Sequence, residues 1–159
     1  MLLILGKEYC KIDSNGRFKF PVAFKRQLDT DDSRFVIRQS LHAECLELWT
    51  YKSFSAEVER LQKMLNPYNK EDYEILGKMT KCNIVDLDSN DRMLIPNEQK
   101  HVVSKSKEIV LQSTGQFIEI WDYDLYQEMN EQTADISKRV DARLGQKLPI
   151  EAHDGEGIS

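Results

Sequence analysis

A nine-residue phrase occurs twice in this chain, and the repeat constrains the fold more than any other feature of the sequence. The segment DSNGRFKFP begins at Asp13, and the segment DSNDRMLIP begins at Asp88. Further along, VIRQSLHAECLELWTY (residues 36–51) matches IVLQSTGQFIEIWDY (residues 109–123) once one loop residue is left out. Because the same parts recur in the same order, the sequence predicts two copies of one structural unit.

The sequence of each copy predicts a small unit. It consists of a strand, a tight turn, a second strand, a short helix and two more strands, in that order. Residues 17–20 alternate between polar and apolar, as a half-buried strand does. Pro21 and Pro96 end that strand, and proline is tolerated in the first turn of a helix. The predicted strands span residues 9–12, 17–20, 35–38 and 45–49 in the first copy and 83–87, 109–112 and 117–121 in the second, with short helices at 22–28 and 97–103.

Apolar stripes at helical spacing predict further helices after each unit, and we expect these stripes to be packing faces. One helix is predicted for residues 53–65 behind serine caps, and a second from Asn69 to residue 79. Residues 125–145 predict one or two more helices that end at Gly145. The stripes consist of Val58, Leu61 and Leu65, then Tyr73, Leu76 and Met79, and then Leu125, Met129, Ile136, Val140 and Leu144.

These patterns predict five segments. The two repeated units span residues 5–52 and 81–124, and a helical connector of residues 53–80 joins them. C-terminal helices occupy residues 125–147. A flexible tail follows at residues 148–159, where no core pattern is present.

Charge is distributed unevenly, although the formal net charge of the whole chain is −5. Residues 119–135 contain six acidic residues and no basic one, whereas residues 11–28 contain one acid, Asp13, and several basic residues. Because charges more than about 10 Å apart are largely screened at physiological salt, a local basic patch can bind phosphate on an acidic protein. The basic residues of the 11–28 stretch are Lys11, Arg17, Lys19, Lys25 and Arg26.

No motif for catalysis, metal binding or membrane insertion stands out. The three cysteines are far apart, and His42 with Cys45 would supply only two of the four ligands of a structural zinc site. The sequence has no apolar run that could span a bilayer, no signal-peptide pattern, no phosphate-binding loop and no nucleophile elbow. We therefore expect a cytoplasmic protein that is not an enzyme and that needs no metal, cofactor or small-molecule ligand.

The repeated turn is the strongest candidate for a functional site. The Asp13 side chain is expected to accept a hydrogen bond from the backbone two residues on, and Gly16 to supply a positive φ. Arg17 would then leave a rigid hairpin tip, and its planar fork can bind a guanine edge or a phosphate. The alternative is a surface ion pair between Arg17 and Asp13, which contributes less than about 1 kcal/mol. Asp88, Asp91 and Arg92 hold the corresponding places in the second copy.

The segments GKEYCKIDSNGRFKFPVAFKRQL, DSNDRMLIP and FIEIWDYDLY together resemble the MraZ family of bacterial transcriptional regulators, over residues 5–130. The resemblance implies an α+β fold of tandem swapped-hairpin, β-barrel-like units of the AbrB/SpoVT type, which form an intramolecular pseudo-dimer with peripheral helices. The signature arginine of the family corresponds to Arg17 and Arg92. Together with the residues of the basic stretch, the predicted DNA-binding set is Arg17, Arg92, Lys19, Lys11, Lys25 and Arg26.

The resemblance also implies a partner and a role. It implies a ring-shaped homo-oligomer that binds double-stranded DNA at direct repeats in the promoter of the division and cell-wall gene cluster. Such a protein would act as a sequence-specific repressor, in the cytoplasm and associated with the nucleoid. An alternative is a ring-forming or antitoxin-like protein-binding module of the same fold class, and a salt titration of DNA binding separates the two.

The second copy departs from the basic pattern of the first. Asp91 replaces Gly16, Leu94 replaces Lys19, His101 replaces Arg26 and Asp86 replaces Lys11. Aspartate tolerates the left-handed conformation better than most residues, so the turn is expected to survive. Its carboxylate would repel phosphate unless Arg92 neutralises it. We therefore expect the first copy to make most of the DNA contact.

Overall fold

The computed structural model describes residues 4–30 and 32–145, so the tail predicted at residues 148–159 lies outside the described residues. One compact unit ends at Leu125 and a second begins at Tyr126. The strands are β1 (Lys7–Lys11), β2 (Arg17–Lys19), β3 (Arg34–Gln39), β4 (Leu46–Thr50), β5 (Asn83–Asp86), β6 (Arg92–Leu94), β7 (Glu108–Ser113) and β8 (Ile118–Asp122). The helices are α1 (Val22–Lys25), α2 (Tyr51–Met64), α3 (Lys70–Met79), α4 (Tyr123–Gln132) and α5 (Ile136–Leu144), together with a 3-10 helix (Lys100–Val103).

Strands from the two copies of the repeat are interleaved. An antiparallel sheet of six strands has the order β1-β7-β8-β4-β3-β5, and β2 pairs with β6 in a separate two-stranded ribbon. Four pairings, β1–β7, β2–β6, β3–β5 and β4–β8, join a strand of the first copy to a strand of the second. This exchange confirms the α+β class and the tandem swapped-hairpin units expected from the sequence.

The main hydrophobic core contains side chains from the ribbon and from one face of the large sheet. Phe18 and Met93 contribute the buried positions of the ribbon, as its alternating sequence predicts. Apolar side chains from alternate positions of β3, β4, β7 and β8 contribute the sheet face. The fully buried members of this core are Phe20, Phe24, Ile37, Leu46, Val103, Ile95, Ile109, Leu111 and Ile120.

A buried ion pair lies on the other face of the large sheet, next to Phe54 of α2. Arg38 donates from Nε and Nη2 to Oε1 of Glu47, at 3.0 and 2.7 Å, and both residues are only 6% exposed. The indole Nε1 of Trp49 donates to the same oxygen at 3.1 Å. The guanidinium also lies over the rings of Trp49 and Phe54, at 5.5 and 5.4 Å. A buried charge is thus both paired and hydrogen-bonded.

Several helix boundaries differ from those predicted. The helices expected at residues 22–28 and 97–103 are shorter, because the chain continues from α1 through i→i−3 turns and the second forms only a 3-10 helix. The helix α2 begins at Tyr51 rather than at residue 53. Its N-cap is Thr50, whose side chain accepts from the Ser53 N–H, so the predicted serine caps are wrong. Asn69 caps α3 as predicted.

The apolar stripes are packing faces in one helix and not in two others. Leu61 of α2 is buried, as predicted. No residue of α3 or α5 is buried, and Tyr73 of α3 is 66% exposed. Within α5, Ile136, Val140 and Leu144 are also exposed. Helical periodicity identifies an apolar side, but it does not show that the same chain covers it.

In the described part of the chain, every helix is too short or too polar to cross a lipid bilayer.

Candidate nucleic-acid interface

The two repeated turns have the local structure that the sequence predicts. The carboxylate of Asp13 accepts hydrogen bonds from the N–H groups of Asn15 and Arg17, both at 2.9 Å. Asp88 does the same for Asn90 and Arg92, at 2.8 and 2.9 Å. These bonds complete an Asx-turn and fix the backbone from which each arginine begins its strand.

The fourth residue of each turn has a positive φ, which is +89° at Gly16 and +60° at Asp91. Glycine adopts this region without cost, and aspartate is among the few other residues that tolerate it. A Cβ at Gly16 would also lie 2.7 Å from Cδ of Lys100, so that flexible side chain would have to move. The expectation that Asp91 preserves the turn is therefore confirmed.

Each turn closes the tip of a short hairpin, because the N–H of Asp13 donates to the carbonyl oxygen of Arg17 at 3.0 Å and the N–H of Asp88 to that of Arg92 at 2.9 Å, but the strands then separate. Between the strands on either side of the first turn, a single bridge joins Ile12 and Phe18. The strand β1 instead pairs with β7, and β2 pairs with β6 of the other copy. Each turn therefore connects the large sheet to the ribbon, and its arginine begins a ribbon strand.

The register of the ribbon brings the two copies together around equivalent residues. Phe18 lies opposite Met93 at the centre, and both side chains point into the core. These residues occupy the same place in the two copies of the repeat. Sequence reasoning missed this pairing, although one signal was available: in both copies an apolar residue stands two positions after the turn.

The exposed face of the ribbon carries three cations from the two copies. Lys19 lies opposite Arg92, and Arg17 lies opposite Leu94. All four side chains are exposed on the face away from the core. Arg17 and Arg92 are thus diagonal neighbours across the ribbon, a relationship that places side chains about 7–8 Å apart. Two arginines that are distant in sequence form one patch.

Neither arginine forms a direct ion pair within its own turn in the described residues, although the charge of each helps to lower the pKa of the aspartate there. In residues 4–30 and 32–145, the guanidinium groups of Arg17 and Arg92 have no hydrogen-bond or ion-pair partner, so the alternative pairing of Arg17 with Asp13 does not form. The Arg17 N–H is the main cause that lowers the pKa of Asp13, and the Arg92 N–H lowers the pKa of Asp88 in the same way. Both carboxylates are therefore engaged by the backbone.

The charge of Asp91 is balanced by a residue from the first copy. The ammonium group of Lys25 donates to Oδ1 of Asp91 at 2.5 Å. The equivalent lysine of the second copy, Lys100, packs its stem on Gly16, and its ammonium group lies 3.4 Å from the carbonyl oxygen of Asn15. From the sequence, repulsion of phosphate by Asp91 depends on whether Arg92 neutralises it; in the structure the cation that pairs with Asp91 is Lys25.

The other predicted basic residues belong to elements outside the ribbon. Lys11 ends β1 and lies opposite Glu108 of β7, and Arg26 follows α1; both are exposed. The structure thus groups Arg17, Lys19 and Arg92 in one patch, whereas Lys11, Lys25 and Arg26 lie on other elements.

The described residues contain no cluster of three or more His, Cys, Asp or Glu side chains that could hold a metal ion. The N–H of His42 donates to the Ser40 hydroxyl. The thiol of Cys45 is buried beside Glu119, and burial raises the pKa of Cys45. These two residues take structural positions rather than forming a ligand pair.

Comparison with known proteins gives a consistent result. Residues 79–147 match the family model described as "MraZ protein, putative antitoxin-like". The chain is 35% identical to the transcriptional regulator MraZ of Flavobacterium psychrophilum over the full length of both proteins. It is 33% identical to the transcriptional regulator MraZ of Christiangramia forsetii, covering 85% of this chain and 88% of that protein. It is 30% identical to the transcriptional regulator MraZ of Mycoplasmoides gallisepticum, covering 84% of this chain and 91% of that protein.

These names describe regulators of transcription rather than enzymes, in agreement with the expectation from the sequence. The turns, the exchanged strands and the full-length similarity all point to one assignment. The chain belongs to the MraZ family.

Proposed function

We propose that this chain is a transcriptional repressor that binds double-stranded DNA in a sequence-specific manner through the exposed face of the β2–β6 ribbon. Arg17, Lys19 and Arg92 contact the DNA directly in this proposal. Lys11 and Arg26 contribute to the surrounding positive field, whereas Lys25 mainly compensates the charge of Asp91. The names of the relatives, which are transcriptional regulators, support a DNA-binding role.

The observation that carries the proposal is the register of the ribbon. The major groove of B-DNA is wide enough to admit a two-stranded β-ribbon, and arginine can bind the O6 and N7 atoms of guanine with both arms of its fork. The pairing of Lys19 with Arg92 sets the cations of both copies on one exposed face. The opposite face is anchored in the core by Phe18 and Met93, so the ribbon is held rigidly.

We further propose that the chain is an intramolecular pseudo-dimer and that several chains assemble into a ring. A single ribbon offers only three cations, which is a small contact for a specific DNA complex. Chains in a ring that bind evenly spaced direct repeats would raise the effective concentration of every further ribbon. The promoter of the division and cell-wall gene cluster is the target in this proposal, and the complex would associate with the nucleoid.

The test is binding to the DNA immediately upstream of the coding sequence of this protein. We expect tight binding to the native stretch and weaker binding to a duplex in which its short direct repeats are scrambled. Because phosphate contacts release counterions, the affinity should fall steeply as salt rises. Failure to bind either duplex at low salt would overturn the proposal.

A second candidate function is a protein-binding, antitoxin-like module of the same fold class, which the description of the matching family model favours. The exposed apolar side chains of α3 and α5 would be available for a protein partner. DNA binding that is absent or insensitive to salt would favour this alternative.

A further inference from the structure

A cleft of about 700 Å³ opens beside the first turn, and residues from both copies line it. Asp13 and Gly16 contribute the turn, while Lys100, Ser104 and Lys107 come from the 3-10 helix and the loop that follows it. The N–H of Ile12 donates to the carbonyl oxygen of Lys107 at 3.0 Å. This bond holds the loop of the second copy against the end of β1.

The loop at residues 104–107, with the sequence SKSK, is fixed by its own hydrogen bonds. The Ser106 N–H donates to Oδ1 of Asp122 at 2.7 Å, and the Ser106 hydroxyl donates to the Glu108 carbonyl at 2.8 Å. Asp122 is fully buried, so its carboxylate is a firm anchor. Lys105 and Lys107 flank Ser106, are exposed, and have no ion-pair partner among the residues that the structure describes.

The equivalent loop beside the second turn has the same backbone contact and the opposite charge. The Leu87 N–H donates to the Ser33 carbonyl at 3.0 Å, which matches the bond between Ile12 and Lys107. The sequence there is DTDDS, with three aspartates where the other loop has two lysines. The exchange of strands therefore places the backbone of the second copy's SKSK loop against the first turn and the Ser33 backbone of the first copy against the second turn.

The same contrast holds for the lysine that packs on each turn. The charge of Lys25 is neutralised by Asp91 at the second turn. Lys100 faces Gly16 and reaches only the backbone carbonyl of Asn15, so its charge is not neutralised. The one carboxylate that lines this cleft, Asp13, is engaged by backbone N–H groups.

We propose that this cleft and the loop at its edge bind the phosphate backbone of DNA next to the ribbon, with Lys100 and Lys107 from the lining of the cleft and the exposed Lys105 from the loop as the contacting residues. The inference rests on the proposed DNA-binding function, and it assigns contacts outside the repeated turns. Arg17 leaves the first turn directly beside the cleft, so a duplex that contacts this arginine passes the lysines. Lysine ammonium groups act as point charges for phosphate and carry no sequence information, so the cleft adds affinity and sets orientation.

The test compares two double variants of the full-length protein, each of which loses two positive charges. Lys105→Ala/Lys107→Ala removes the loop cations, and Lys63→Ala/Lys70→Ala removes two exposed lysines from α2 and α3 as a matched control. Binding to a fluorescein-labelled duplex from upstream of the coding sequence, and to an unrelated duplex, is measured by anisotropy over a range of salt concentrations. All four substitutions are at exposed positions, and circular dichroism verifies that each variant is folded.

We expect the loop variant to bind both duplexes about tenfold more weakly, and its salt slope to decrease by roughly 0.9 for each phosphate that it no longer neutralises. The control should change the slope by less than half as much. Equal reductions in the two variants would show a general charge effect and overturn the inference, as would unchanged binding by the loop variant. If Arg17→Ala weakens binding while the loop variant does not, only this inference fails. If the wild-type protein binds neither duplex, the proposed function fails as well.

Discussion

Lys25 and Asp91 come from opposite copies of the repeat, and their charged groups meet at 2.5 Å beside the second turn. At the equivalent place beside the first turn, Lys100 packs against Gly16. One turn thus has a lysine that a carboxylate neutralises, and the other a lysine that meets only a backbone carbonyl, although both have the same backbone shape. The single difference between glycine and aspartate controls the local charge of each turn.

Replacing Asp91 by glycine should therefore strengthen DNA binding. The change releases the Lys25 ammonium group and removes a carboxylate next to Arg92, and glycine adopts a φ of +60° without strain. We expect a gain of about 1 kcal/mol, equivalent to several-fold in affinity, and a steeper salt dependence. Asp91→Asn is the control, because it keeps the size of the side chain and removes only the charge. Weaker binding by both variants would contradict the prediction.

The reverse substitution, Gly16→Asp, should weaken DNA binding and destabilise the fold. A new carboxylate would neutralise Lys100, and a side chain at a φ of +89° must also displace Cδ of that lysine. We expect the free energy of unfolding to fall by about 1–2 kcal/mol, measured by urea denaturation. Gly16→Asn introduces the same backbone strain without charge. If the two variants bind DNA equally well, the charge argument is wrong.

Arg17 and Arg92 should contribute unequally to DNA binding. Both occupy the exposed face of the ribbon, but Arg17 adjoins the cleft with Lys100, whereas Arg92 follows a turn that contains Asp91. We expect Arg17→Ala to reduce affinity more than Arg92→Ala does, with each reduction about 1–3 kcal/mol if the arginine reads a base. The measurement is anisotropy titration on the upstream duplex. Equal reductions would refute the asymmetry.

Removing Arg38 should cost more stability than removing any exposed ion pair. The substitution Arg38→Met leaves Glu47 buried without its partner, and breaking a buried pair in this way costs about 3–5 kcal/mol. The double variant Arg38→Met/Glu47→Gln should recover part of that stability. Arg34→Met is the control, because its pair with Asp86 is exposed and worth less than about 1 kcal/mol. Urea denaturation gives the free energies of unfolding, and equal destabilisation of the two single variants would contradict the prediction.

Acid should destabilise the two turns in the same pH range. Because the pKa values of Asp13 and Asp88 are lowered in the folded chain, both carboxylates stabilise the fold above their ordinary pKa of 3.8. This contribution disappears as the pH falls through the lower, folded-state values. Asp13→Asn and Asp88→Asn should therefore be destabilised at neutral pH and approach the wild type as the pH falls below 3.8 in urea denaturation. A difference that is constant with pH would contradict this assignment.

The sequence predicts the parts of the structure that depend on neighbouring residues. The hydrogen bonds of Asp13 and Asp88, the positive φ of Gly16 and the positions of the strands follow from local turn chemistry and alternation. The pairing of Arg92 with Lys19 across the ribbon does not follow in this way. It joins segments that are far apart in the chain, and local periodicity contains no information about which strand will be the partner.

The same limit explains the two ion pairs that were missed. Lys25 and Asp91 lie in different copies, and only the exchanged strands bring them together. Arg38 lies opposite Glu47 in the sheet, and the equivalent residue of the second copy, Gln112, lies opposite Glu119, so the repeat itself offers no reason to expect a buried charge there. For α3 and α5, periodicity identifies an apolar side correctly, but burial depends on a covering surface that the pattern does not specify.

The exchange of strands also has a consequence for the order in which the protein can be made. Segment β1 leaves the ribosome well before its ladder partner β7, and β2 likewise leaves before β6. Pairings between such distant segments close long loops and slow folding. We expect β1 and β2 to pair with their partner strands late in folding. Phe18 and Phe20 should remain exposed to solvent or chaperones until then.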